Sequence, residues 1–289
     1  MSFSTQVKEE LSKLKNLSNK ELVKYELLGY LISNNVGFEK NKIRFMTESE
    51  HNINRFAKLN NNLGYTNYKI EIQGKKYCIT ILKKELEELF KLDKIKDETI
   101  ENKKAFIRGA FLGAGSINNP QNTYHLEMSF YDINYLEIAS EILKQFEIEF
   151  KTIQKNKAHT LYSKDGDEIS KFLALIGANN SMLKFEQIRV YREVKNNVNR
   201  KVNCETANLN KIIDASVKQI DDIKFLKQIG VFEKLPKQLI ELANLRIENP
   251  EASLVELGQL LQIPIGKSGV SHRFGQISKI VKKIKSEKN

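Results

Sequence analysis

Tryptophan is absent from this 289-residue chain, and proline (4), methionine (4), histidine (4) and cysteine (2) are scarce. The two cysteines, Cys78 and Cys204, form no CxxC pair and cannot build the framework of a disulfide-stapled domain; they suit a reducing compartment. His51, His125, His159 and His272 share neither finger nor helical spacing, so no zinc site is expected. Ser-His-Asp order, a Walker loop and a GxGxxG fingerprint are also lacking. Neither a cofactor nor a small-molecule substrate is expected. No run approaches the roughly eighteen apolar residues of a membrane span. The N-terminal MSFSTQVKEELSKLKNLSNKELVKY reads as a polar, amphipathic helix and not as a leader. These absences point to a cytoplasmic protein with no membrane partner.

Positive charge is what the chain has in excess. Lysine and arginine number 47 against 36 acids, giving a formal charge of +11 and a pI near 9.3. Such a balance favours a polyanionic partner, nucleic acid first, with a solvated lysine-rich surface as the ordinary alternative. The length allows two or more domains.

An offset of about eighty residues aligns the N-terminal part with itself. Gly29 then falls on Gly109, and Ile53-Asn54 on Ile133-Asn134. Each copy carries an alternating strand pattern, at 42–47 and 124–130, then a helical pattern, at 52–64 and 133–146. Hairpin-like pairs follow, YKIEI with KYCITI and FKTIQ with HTLYS. An apolar-periodic helix closes each copy, at 83–92 and 167–177. The shared order is αββαββα, twice, which marks a duplication. Small residues one turn apart, Gly29 with Ser33 and Gly109 with Gly113, cost about 1 kcal/mol per glycine in a helix. They are expected where two helix backbones approach more closely than the usual 8–10 Å.

ELLGYLISNNVG at 26–37 and AFIRGAFLGAGS at 105–116 resemble the paired motif helices of LAGLIDADG homing endonucleases. That resemblance implies two repeats packed through these helices beneath a saddle of strands that sits on DNA. In the nuclease family an acid ends each motif helix and holds a divalent cation; here those positions are Asn34 and Ala114. Hard cations need oxygen ligands, carboxylates above all. A working nuclease is therefore not expected. Nearby Glu26, Glu39 and Glu127 read as solvated residues.

Residues 184–211 are polar, basic and rich in asparagine. An arginine-bearing helix over 184–195, a turn at Asn196-Asn197 and a second helix over 207–229 are expected, with Arg189, Arg192, Arg200 and Lys201 as candidate phosphate contacts. Lys75, Lys76, Lys155 and Lys157 at the hairpin tips are candidates of the same kind. Beyond them, Pro236 opens a helix, and Ser253 with Glu256 forms a capping box at the start of a second. Pro264 and Gly266 break that helix, and a third follows. Three short helices with a tight break describe a helix-turn-helix. On the third, Val270, Phe274, Ile277 and Val281 recur at core spacing. The opposite face carries Ser268, His272, Gln276 and Lys279, with Lys267, Ser271 and Arg273 on its shoulders, a set suited to base edges and phosphates.

FIRGAFLGAGSINNP, YHLEMSF, NRKVNCETANLNK, LRIENPEASLVELG and GKSGVSHRF together resemble the WhiA family of bacterial regulators almost end to end. The resemblance implies an α+β fold: a duplicated, degenerate LAGLIDADG-like αββαββα pseudo-dimer, then an all-α helix-turn-helix domain similar to region 4 of sigma factors. Boundaries are expected at 1–96 and 97–195 for the repeats, 196–230 for a polar linker and connecting helix, and 231–289 for the DNA-binding domain. It also implies a non-catalytic, nucleoid-associated regulator of cell division and chromosome segregation, and of sporulation in spore formers. Double-stranded DNA is the implied partner, with other division or transcription proteins beside it; an RNA-binding or scaffold protein is the alternative. One departure stands out: Phe274-Gly275-Gln276 replaces the family's usual apolar-basic-basic run.

Overall fold

The computed structural model describes residues 2–33, 35–39, 41–91, 95–155 and 158–287. The chain divides into two compact units, residues 1–194 and 195–289.

The first unit begins with α1 (Phe3–Ser12) and then runs through two αββαββα repeats. The first comprises α2 (Lys20–Leu31), β1 (Val36–Glu39), β2 (Lys42–Thr47), α3 (Glu50–Asn62), β3 (Tyr68–Gln73), β4 (Lys76–Leu82) and α4 (Lys83–Leu86). The second comprises α5 (Ile100–Ala114), β5 (Gly115–Ile117), β6 (Leu126–Phe130), α6 (Ile133–Gln145), β7 (Lys151–Lys155), β8 (Ala158–Ser163) and α7 (Gly166–Leu175). Side-chain oxygens of Asn19, Ser49, Thr99, Asp132 and Asp165 cap the free N–H groups that open α2, α3, α5, α6 and α7. The sheets have equivalent antiparallel orders, β1-β2-β4-β3 and β5-β6-β8-β7, so the duplication extends to topology. Period-two alternation sends Ile43, Phe45, Ile79 and Ile81 of one sheet, and Leu126, Met128, Phe130 and Leu161 of the other, into one shared core.

Expectation and structure part at 83–92. Only Lys83–Leu86 is α-helical, and Glu87–Lys91 continues as a 3-10 segment. Lysines at its start and glutamates at its end oppose the helix dipole, which disfavours a longer α-helix.

The small residues explain how α2 and α5 meet. A methyl group on Gly109 would lie 1.9 Å from the carbonyl oxygen of Glu26, and one on Gly29 would lie 2.2 Å from that of Phe106. One on Gly113 would lie 2.3 Å from the Ser33 hydroxyl. The backbones touch, and no side chain larger than hydrogen fits between them. An isolated bridge from Ser33 to Phe130 and a hydrogen bond from Asn35 Nδ2 to the Gly113 carbonyl (2.8 Å) continue the junction. Asn52 joins it from α3, donating to the Leu112 carbonyl (2.7 Å) while accepting from the Tyr30 hydroxyl (2.6 Å).

Glu26 is fully buried at this seam, which corrects its reading as a solvated residue. Its carboxylate accepts from Arg55 Nε at 2.8 Å and Nη2 at 3.0 Å, and from Arg108 Nε at 2.9 Å. Burial pushes the Glu26 pKa up, but the Arg108 charge and the Arg55 hydrogen bond outweigh burial and hold it below the usual carboxylate range. One glutamate thus joins three helices: α2, α3 and α5.

A single helix, α8 (Asn179–Gln228), replaces the two helices and intervening turn expected over 184–229. Asparagine weakens a helix without breaking it, and the segment contains neither glycine nor proline. Phe185 of α8 joins the core of the first unit, and Ile223 and Leu226 join that of the second. The helix stops before Gly230, whose φ of +69° suits a C-terminal glycine.

The second unit adds α9 (Lys237–Glu248), α10 (Leu254–Leu260) and α11 (Lys267–Glu287). Ser253 and Glu256 make both hydrogen bonds of the capping box, and Val270, Phe274, Ile277 and Val281 are buried together.

Two contrasting substitutions check the seam. Gly109→Ala should destabilise the first unit by at least the ~1–3 kcal/mol typical of overpacking. Gly275→Ala, on an α11 face with nothing within 4 Å of the added methyl, should stabilise the second unit by about 1 kcal/mol. Chemical denaturation of each variant reads both signs.

For the Glu26 cluster, Glu26→Gln should cost about 3–5 kcal/mol at neutral pH, because two buried guanidinium groups lose their counter-charge. The depressed carboxylate pKa contributes stability above the unfolded value and loses it as pH falls through the folded value. The penalty should therefore shrink in acid, measured by urea unfolding from neutral pH downward.

Candidate nucleic-acid interface

The tips of the seam helices come first, because that is where the nuclease chemistry would sit. Ala114 ends α5 and supplies no oxygen ligand from its side chain; Asn34 lies outside the described residues. Glu127, opposite Ser116 in the β5–β6 register, is half-buried and lies 3.3 Å from His125 Nε2 and 3.5 Å from the Ser116 hydroxyl. Among the described residues no group of three histidine, cysteine, aspartate or glutamate side chains could hold a metal. A divalent cation does not fit these donors, and no cleavage step follows from the site. Glu39, on the edge strand, is exposed and 3.6 Å from Arg44.

The sheet faces turned away from the core are mostly polar. On the first, register and alternation place Lys42, Arg44, Lys69 and Lys76 together, with Glu39 and Glu71 among them. Arg44 Nε also donates to the buried Cys78 Sγ at 3.0 Å. On the second, Glu127, Ser129, Lys151, Thr160 and Tyr162 share the corresponding face. Lys75 is exposed in the β3–β4 turn, Lys155 ends β7, and Lys157 lies outside the described residues.

The α8 cations divide. Arg189 is held by Asp167 (2.5 Å) and Glu186 (2.7 Å). Arg192 donates to the Pro120 carbonyl (2.6 Å) and stacks 4.6 Å from the Tyr124 ring centre. Both are committed to the first unit's own structure, so their availability to a phosphate is reduced. Arg200 and Lys201 are exposed on the helix surface.

In the second unit the break between α10 and α11 closes tightly. The Ile265 N–H donates to the Gly258 carbonyl at 3.1 Å, and a methyl on Gly258 would lie 2.2 Å from the Ile265 oxygen. This turn sets α11 against α9 and α10. Lys267, Ser268, Ser271, His272, Gln276 and Lys279 are all exposed on α11. Arg273 is half-buried and faces a cleft with Ile240, Glu241, Gln262 and Ile263.

Arg246 was not legible as a site residue. It is 1 % exposed, without a carboxylate partner among the described residues. Its guanidinium donates to the Gln219 side chain (2.9 Å) and to the carbonyls of Asn249, Pro250 and Ala252 (3.3, 3.2 and 2.6 Å), while lying 5.6 Å from the Phe274 ring centre. Burial lowers its pKa from the ordinary arginine value. It ties α8, the α9–α10 turn and the buried side of α11 together, and so holds the exposed face in place. A spacing pattern carries no trace of this, since LANLRIEN reads as an amphipathic helix with an ordinary arginine.

A doubled LAGLIDADG-like unit followed by a helix-turn-helix defines the class of architecture. Family models match at residues 103–195, described as the WhiA LAGLIDADG-like domain, and at 198–281, described as the WhiA C-terminal HTH domain. A probable cell division protein WhiA from Clostridium novyi is 37 % identical, with 99 % of each chain covered. Its counterpart from Clostridium perfringens is 43 % identical over 212 residues, covering 72 % of this chain and 67 % of the relative. The crystal structure of full-length DUF199/WhiA from Thermatoga maritima superposes with a TM-score of 0.64 at 29 % identity, covering 98 % of this chain and 99 % of that one. The chain belongs to the WhiA family.

Arg246→Met should retain the volume but leave three carbonyls without their donor, at a cost of about 1–3 kcal/mol. Calorimetry should show the loss in the second unit with the first unit's transition unchanged.

Proposed function

We propose that this protein is a non-catalytic DNA-binding regulator of cell division and chromosome segregation, and of sporulation where the host forms spores. The exposed α11 face carries the reading. Hydroxyls, an imidazole, an amide and lysines stand on one side of a helix whose other side is locked into a core. Such a helix suits a major groove, its N-terminal residues reaching base edges and its lysines reaching phosphates. Ser268, Ser271, His272, Arg273 and Gln276 supply base readout, and Lys267 and Lys279 supply phosphate contacts. Arg273 reaches the groove by leaving its cleft.

The repeat unit serves as a second surface, for DNA or for a division or transcription protein. Lys75, Lys76, Lys155 and Lys157 are its candidate phosphate contacts, joined by Arg200 and Lys201 of α8. Arg189 and Arg192 contribute by positioning the helix. The division into repeats at 1–96 and 97–195, a connector at 196–230 and a reader at 231–289 goes with this reading, as does a place on the nucleoid in the cytoplasm.

Gel shifts on a randomised duplex pool and on fragments enriched from it test the proposal. Arg273→Ala should weaken the enriched fragment by the equivalent of about 1–3 kcal/mol, and Lys279→Ala should weaken all fragments alike and lower the salt slope by about 1. Unchanged binding by both variants, or displacement of duplex DNA by RNA at equal salt, would overturn it.

A further inference from the structure

One feature of α8 serves neither unit's core. Val194, Val198, Val202, Leu209 and Ile213 are exposed by 57, 55, 53, 56 and 47 %. Together with Glu205 they form a stripe along the helix. Val194, Val198 and Val202 each recur eleven residues on, as Glu205, Leu209 and Ile213. Eleven residues are just over three full turns, so this period keeps the stripe on one side of the rod. β-Branched residues are weak helix formers at solvated positions. A merely solvated face has no need of a sustained apolar line.

We infer that the Val194–Ile213 stripe of α8 pairs with the same stripe of a second copy, antiparallel. Two observations select this occupant. The steps along the stripe are four, four, three, four and four, which read the same in both directions. Reversing one copy about the midpoint between residues 203 and 204 therefore sets Val194 opposite the second copy's Ile213, Val198 opposite its Leu209, and Val202 opposite its Glu205. Every member of the stripe finds a counterpart.

The second observation is charge. Residues 190–203 hold four cations (Arg192, Lys195, Arg200, Lys201) and one carboxylate, Glu193. Residues 204–217 hold one cation, Lys211, and two carboxylates, Glu205 and Asp214. Antiparallel pairing sets the basic half of each helix on the acidic half of the other, whereas parallel pairing sets basic on basic. Glu205 interrupts the apolar line where the pairing brings it within a turn of the second copy's Lys201. A polar residue in a seam weakens association but fixes its register. This inference is independent of DNA reading: a monomer could still bind promoters, and a dimer could bind none.

The test is sedimentation equilibrium of the full chain across a concentration series, with circular dichroism as the check on folding. The wild-type protein should approach twice the 33.4 kDa chain mass as concentration rises. Val198→Asp with Leu209→Asp should abolish the dimer and leave both units folded, since both sites are exposed. Asn203→Asp, off the stripe, should leave it intact. Orientation is read by mixing Val202→Cys and Glu205→Cys chains, each with Cys204→Ser, under mild oxidation. The antiparallel register gives the mixed disulfide. A mass that stays monomeric throughout, a dimer that survives the two aspartates, or disulfides only between like chains would each overturn the inference.

Discussion

Everything in the first unit depends on two helix backbones in direct contact. At Gly29 and Gly109 the facing atoms are main-chain carbonyls and amides, with no side chain between them. Contact at that distance makes the repeats one body, because neither seam helix can slide without driving backbone into backbone. The buried Glu26 carboxylate sits where α2, α3 and α5 meet, and the isolated Ser33–Phe130 bridge carries the join to the sheets. Asn52 adds a hydrogen bond from α3 to the Leu112 carbonyl, so the third helix is held to the same seam.

The doubled scaffold presents two mostly polar sheet faces at a set geometry. Its positive charge is less free than the total of +11 implies. Arg55, Arg108, Arg189, Arg192 and Arg246 are all engaged by carboxylates, carbonyls or rings within the fold. Arginine is the cation that suits such buried, multidentate roles, whereas lysine holds its charge in water. The cations left at the surface are mostly lysines, on the hairpins and on α11.

Much of the architecture is legible in the sequence. Alternation marked the strands of both repeats, the eighty-residue offset marked the duplication, and the Ser253 capping box with the Pro264-Gly266 break marked the helix-turn-helix. Each of these signals is local, carried by residues within a few turns of one another. What was not legible has a different cause. Glu26 looked solvated because its two arginine partners lie 29 and 82 residues away. The internal partners of Arg189 and Arg192 could not be foreseen because Asp167, Tyr124 and Pro120 are remote in sequence. The Asn196-Asn197 turn failed because a weak helix former is not a breaker.

By itself, then, the chain's sequence determined most of the helices and strands, that the N-terminal part is doubled and that the seam positions are small. Propensity, period and steric size act over short range and need no knowledge of the fold. Only the tertiary structure decided which charges are bound internally and which are free, that Arg246 underpins the exposed α11 face, and that α8 carries an uncovered apolar line. An ionic group's role is set by what lies within a few ångströms of it, and chain folding alone determines those neighbours.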